Sequence, residues 1–444
     1  MVAALVLLSV VFLLIGNGQG PKISEAQFDE AAIVARPDQQ LRLFLNQPVQ
    51  DAASATATVV PAVPASVTSS GEVVSVQFGA PLFYDTEYSV KVDGLRSLDS
   101  RASSSVDYSF GTASPSLMYL DRDDDGDSII RTGLTGSERE TVFTAQNIIA
   151  FDVVGQALVV ATALDSGSSA LQLVSLTDGV AEDIRLPTAG VISRLAASDV
   201  GSVIGFTLTG AGSTVENPAS QVLVMNLDRG RDLIALGDSG DGALPVLDWL
   251  FVPNSDSLIV LAAEGVALRF EPERDAVPVP VGRFVSLTGI SQDGVTLIGE
   301  DSTGITLTDL ADGSQRDPEP SVIDGVPPLV AEVALAWNGD VVEKIALQNG
   351  DGIFTVALAV DDGTTARAVY VPPGVGDTID AYRLSPNGQY VGIELVPEGT
   401  ADAKDSHPTN ARPSATTTVI VDLATGASTR SFEGFNLVWL PPGL

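Results

Sequence analysis

The last residues, Phe435-Asn-Leu-Val-Trp-Leu-Pro-Pro-Gly-Leu444, are one apolar strand and its turn with no partner strand after them. The same strand-and-turn occurs six times earlier. The copies are Phe151-Asp-Val-Val-Gly, Leu195-Ala-Ala-Ser-Asp-Val-Gly, Phe251-Val-Pro-Asn-Ser-Asp, Ile290-Ser-Gln-Asp-Gly, Ala336-Trp-Asn-Gly and Leu384-Ser-Pro-Asn-Gly. A lone strand with free edges is an aggregation liability unless something pairs with it. Three strands without a first strand of their own stand upstream, at about Ser116 to Phe143. Joining the two ends would complete one repeat.

The turn markers Gly155, Gly201, Asp256, Gly294, Gly339, Gly388 and Gly443 lie 38 to 55 residues apart. A period of roughly 40–50 residues with four short strands per unit is the signature of a β-propeller. Four units also carry an element in which a third strand runs into a tight turn: Val174-Ser-Leu-Thr-Asp-Gly179, Met225-Asn-Leu-Asp-Arg-Gly230, Thr308-Asp-Leu-Ala-Asp-Gly313 and Val421-Asp-Leu-Ala-Thr-Gly426. Six complete units and one split unit predict seven blades over residues 114–444, closed by the C-terminal strand. Leu384-Ser-Pro-Asn-Gly-Gln-Tyr-Val391 together with Val421–Gly426 resembles WD-repeat-like and TolB-like propellers. The Gly-His and Trp-Asp pairs of true WD repeats are missing, and the resemblance implies an architecture without an activity.

Residues 21–113 read differently. Leu41–Val49, Val73–Phe78, Glu87–Val92 and Val106–Phe110 alternate apolar and polar, with turns every 8–12 residues, which predicts a β-sandwich. Leu41-Arg-Leu-Phe-Leu-Asn-Gln-Pro-Val49, Pro81-Leu-Phe-Tyr-Asp-Thr-Glu-Tyr-Ser-Val-Lys-Val92, Leu98-Asp99 and Ser109-Phe-Gly-Thr112 resemble bacterial Ig-like domains of the surface-layer type. That resemblance implies a spacer or adhesive module. In residues 1–20 the run Val2–Ile15 is apolar without a polar face, which predicts one hydrophobic helix, a signal peptide or a membrane anchor. Either puts the rest of the chain outside the cytoplasm, and an uncleaved segment would make the membrane a partner.

The net charge of −34 repels a phosphate backbone, so nucleic acid is not an expected partner. With no cysteine, disulfides, thiolate metal sites and Cys nucleophiles are excluded. His407 is the only histidine, in a polar insertion at about 398–415 read as a surface loop, a poor place to position a catalytic base.

Asp121-Arg-Asp-Asp-Asp-Gly-Asp127 matches the start of a calcium loop, with Asp121, Asp123, Asp125 and Asp127 as ligands. Thr132 and Ile129 stand where such loops place a twelfth-position Glu or a ninth-position Asp. The competing reading is a charged hairpin turn. Ligands of propellers bind near the axis, which makes Arg194, Asp248, Trp249, Arg383 and Trp439 candidates for partner contact. Arg194 and Arg383 each precede an anchor Leu and read as equivalent positions; the two Trp read more readily as packing between blades. The expected function is an extracytoplasmic binding or scaffold protein that recognises a protein or an envelope polymer, with no cofactor beyond Ca2+. Two alternatives are a carboxylate-based hydrolase or lyase acting on extracellular glycans or peptides, and a calcium-stabilised adhesin.

Overall fold

Strands alternate with tight turns along the whole computed structural model, which describes residues 20–50, 54–98, 103–123, 126–210, 220–236, 244–272, 277–348, 352 and 354–443. The hydrophobic segment Val2–Ile15 lies outside them. Among the described residues, no helix is long and apolar enough to cross a membrane. The chain divides into two compact units, the first ending at Pro115 and the second running from Ser116 to Leu440.

The first unit holds a four-stranded and a three-stranded antiparallel sheet. The predicted strands appear as Gln40–Leu45, Val73–Phe78, Glu87–Arg96 and Ser103–Gly111. Their period-2 pattern explains the burial: Val74, Val76 and Phe78 on one strand and Tyr88, Val90 and Val92 on another are buried while their neighbours face outward. Phe110 gathers rings around it, 4.7 Å from Phe28 and 5.9 Å from Tyr88. Three strands, Ile23–Gln27, Thr56–Val60 and Ala65–Ser70, and the short helix Ala32–Ala35 went unpredicted. These strands are rich in Ala, Ser, Thr or Glu and are half exposed, so no apolar run marks them.

The second unit is built from seven four-stranded antiparallel sheets among the described residues, each an up-and-down meander of the kind that forms a propeller blade. Six of them are consecutive in sequence and begin at Ile148–Val154, Gly190–Ala197, Val246–Phe251, Ser286–Ile290, Leu329–Leu335 and Thr378–Leu384. The seventh is composite. Glu140–Ala145, Gly126–Gly133 and Ser116–Asp123 lie in that order, and Phe435–Leu440 pairs with Ser116–Asp123 as the fourth strand. Trp439 stands opposite Leu117 and Val438 opposite Met118. The turn after the first strand demands a left-handed residue: Gly155, Gly201, Gly294, Gly339 and Gly388 all have positive φ, and at the third repeat Asn254 takes that role rather than the marker Asp256.

Every first strand of these sheets carries a β-bulge at a corresponding place, after Ile148, Ile192, Val246, Leu287, Val330 and Ile379, with a wider irregularity between Phe435 and Val438. A bulge twists a strand and re-aims the side chains that follow it. The cores lie between neighbouring sheets. Ile149, Val159, Ile192, Phe206 and Leu223 form one cluster; Met118, Leu120, Phe151, Leu158, Val438 and Leu440 form another, which joins the C-terminal strand to the sheet at Ile148.

Candidate functional site

The bulges set a common register for the first strands. Arg194, Asp248 and Glu332 each follow their bulge directly, at the level of Ala150, Gly289 and Ala381. Asp152 and Arg383 stand two residues further along, at the next level of the strand. Arg194 and Arg383 are therefore not equivalent, contrary to the spacing argument; counting back from an anchor Leu cannot see a bulge.

Opposite charges are paired at the first level and near one another at the second. Arg194 Nη1 forms an ion pair with Asp248 Oδ1, and its guanidinium lies 5.2 Å from the centre of the Trp249 ring. The Asp248 carboxylate also accepts the Trp249 amide at 2.8 Å. Asp152 accepts the amides of Val153 and Ala197, each at 2.8 Å. Burial pushes its carboxyl up, and the charge of Arg383 and these amides pull it down. Burial likewise raises the Glu332 carboxyl against the opposing pull of Lys344. Arg383 is exposed. Each of these three acids has a basic neighbour, an arrangement without the like-charged carboxylate couple that acid–base hydrolysis of a glycoside uses.

The tryptophans belong to the packing. Trp249 is 1% exposed and donates Nε1–H to Thr207 Oγ1 on the preceding sheet at 2.8 Å. Trp439 is 8% exposed, donates to the Arg383 carbonyl at 3.3 Å and stacks on Tyr390. Of the proposed partner contacts, Arg194, Asp248 and Arg383 present polar groups near one another, and Trp439 supports the backbone beneath Arg383.

The aspartates of residues 121–127 are split between two faces of a hairpin. Opposed residues in an antiparallel ladder share a face. Asp127 stands opposite Arg122, while Asp121 and Asp123 stand opposite Ser128 and Gly126. Asp121 pairs with Arg139 at 3.2 Å. Asp127 is 4% exposed, accepts the Ile148 amide at 2.6 Å and lies 3.5 Å from Arg122. Asp125 lies outside the described residues. Among the described residues no three acid or histidine side chains are grouped to hold a metal ion.

A second polar cluster was not legible in sequence, because its members come from opposite ends of the unit. The insertion at 398–415 is a strap that folds back over the composite sheet, and His407 is buried in it rather than exposed on a loop. Asp405 Oδ2 meets Arg122 Nη1 at 2.7 Å, and Asn410 donates to the Ile149 carbonyl at 3.1 Å. Arg412 meets Glu394 at 2.6 Å, and Glu394 accepts the Asn436 amide at 2.7 Å. The Phe435 ring has Arg122 5.0 Å and Arg412 4.7 Å from its centre. His407 Nδ1 accepts the amides of Asn410 and Thr409 at 3.1 and 3.4 Å. Burial and the charge of Arg122 hold its imidazole below the usual range. With Nδ1 occupied by the backbone, the ring does not serve as the base of a Ser–His–Asp arrangement.

No family model matches the chain, and no curated protein matches it by sequence. Solved structures do. TolB from Acinetobacter baumannii aligns over 81% of this chain and 81% of its own length, at 14% identity and a TM-score of 0.39. A protein from Lactobacillus plantarum aligns over 74% of this chain and 99% of its own, at 13% identity and a TM-score of 0.45. Dihydro-heme d1 dehydrogenase NirN aligns over 74% and 75%, at 13% identity and a TM-score of 0.44. All three TM-scores fall below 0.5, and the reading of the sheets as propeller blades rests on the strand order and pairing above.

Proposed function

We propose that this chain is a non-catalytic binding protein of the extracytoplasmic space, in which the two-sheet unit at 21–113 is an Ig-like spacer and residues 114–444 form a seven-bladed propeller closed by Phe435–Leu440. Its partner is a protein or an envelope polymer. The apolar run Val2–Ile15 supports export or anchoring. The surface that recognises the partner is formed by Arg194 and Asp248 at one level and Arg383 at the next. One observation favours binding over hydrolysis: Asp248 is ion-paired with Arg194, and Asp152 and Glu332 lie within the field of Arg383 and Lys344, so each acid has a positive charge near it and is suited to complementary contact.

The charge-swapped double variant Arg194→Asp/Asp248→Arg tests this. It keeps an ion pair in place and inverts the pattern a partner meets. In vivo crosslinking on intact cells should recover a partner with the natural chain and lose most of it with the swap, while the unfolding temperature stays the same. Unchanged recovery with the swap would remove the axial site, and turnover of a glycan or peptide substrate by the purified chain would replace binding with catalysis.

A further inference from the structure

We propose that the cleft between the strap and the hairpin Ser116–Gly133 is a binding site for a neutral polyhydroxylated ligand, one or two saccharide units. The inference stands apart from the axial surface and survives its failure. The cleft encloses about 550 Å³, within the range of roughly 300–1,000 Å³ of small-molecule sites.

His407 and Asp127 contribute to its lining, with side chains 2% and 4% exposed. Because His407 Nδ1 accepts two amides, the neutral ring carries its proton on Nε2. That nitrogen faces the Asn147 carbonyl and Asp127 without a well-formed hydrogen bond to either. Its distance to Asp127 Oδ2 is 3.9 Å, too long for a direct bond. One oxygen inserted there would accept from Nε2–H and donate to the carboxylate, closing the gap with two ordinary hydrogen bonds. A hydroxyl does both; an ammonium cannot accept, and a phosphate, even where it keeps a proton to donate, would set its negative charge against the Asp127 carboxylate. On the cleft wall Thr416 Oγ1 is a second buried polar atom without a partner. A buried polar atom left unpaired is destabilising, so an occupant that satisfies it gains affinity.

Charge narrows the class further. Asp121, Asp123 and Glu433 line the cleft against Lys404 and Arg122, which disfavours anionic sugars and phosphates.

The single histidine makes the test direct, because one imidazole reports the cleft. The ring ¹⁵N signals of the whole protein should show the neutral Nε2–H tautomer at pH 7.5. They should move saturably when glucose, maltose or N,N′-diacetylchitobiose is added, with dissociation constants in the millimolar range, and stay still with choline or inorganic phosphate. His407→Asn keeps an acceptor where Nδ1 stands and removes Nε2–H; Asp127→Asn keeps the shape and removes the charge. Each should weaken saccharide binding, read by ligand-detected NMR, about tenfold, the loss of one good hydrogen bond. Ring signals that no saccharide moves would mean that the cleft holds water only, and a response to choline or phosphate as large as to sugar would overturn the hydroxyl assignment.

Discussion

A chain lacking Leu437–Leu444 will lose the cooperative unfolding transition of the Ser116–Leu440 unit and keep that of the two-sheet unit before it. The deleted residues include Leu437, Val438, Trp439 and Leu440, all at most 8% exposed. Burying each such side chain contributes about 1.5–3 kcal/mol, so together they reach roughly the 5–15 kcal/mol by which a typical domain is stable. The deletion also turns Ser116–Asp123 into an unpaired edge beside the Met118–Leu120–Phe151 cluster. Calorimetry of the truncated protein should show one transition where the full chain shows the propeller transition as well. Two transitions at their original temperatures would contradict the closure.

Arg122→Met is the point substitution with the largest expected effect. The side chain is 9% exposed, and its guanidinium is the basic partner of Asp127 and Asp405 while also donating to the carbonyls of Ile148 and Asn410. Met preserves most of the side-chain volume over the Phe435 ring and removes the charge. Taking one partner from a buried pair leaves the other charge uncompensated, which destabilises by about 3–5 kcal/mol. Burial already pushes the Asp127 carboxyl up, with Arg122 the largest opposing influence. Equilibrium denaturation at neutral pH should show that loss, and limited proteolysis should cut within the 398–415 strap, whose ties to the composite sheet run through Arg122 and Asn410. A variant within about 0.5 kcal/mol of the natural chain would mean that the strap is not held by this cluster.

Much of the fold was legible because its signals are local. A turn residue with positive φ and an apolar strand recur at each repeat, and Phe435–Leu440 supplies the strand that Ser116–Ala145 lacks. The blade strands and the pairing of distant segments follow from those residues alone. The site was less legible. The bulges after Ile192 and Ile379 shift which residues share a level, and no side chain at those positions announces a bulge. That is why Arg194 and Arg383 read as equivalent and are not. His407 and Arg122, 285 residues apart, meet only because the last complete blade sits beside the composite sheet. The strap's composition of Asp, Ser, Thr, Pro and Asn is that of a solvated loop, although Asp405 and Asn410 find partners in Arg122 and the Ile149 carbonyl, far away in sequence. In the Asp121–Asp127 run, Asp121 and Asp123 share one face of their strand, whereas Asp127 falls on the other face because the hairpin register sets it opposite Arg122, a register that the spacing alone does not show.

The central claim is that the C-terminal strand completes the first sheet of the second unit. A pair of cysteines at register partners, Met118→Cys with Val438→Cys, tests it in a chain that has no other thiol. Opposed residues of an antiparallel ladder lie about 4.5–5.5 Å apart, within the Cα range a disulfide accepts. The expected result is a disulfide that forms under mild oxidation of the folded protein and raises the unfolding temperature of the propeller. Two thiols that stay reduced and are modified rapidly in the native protein would contradict the pairing.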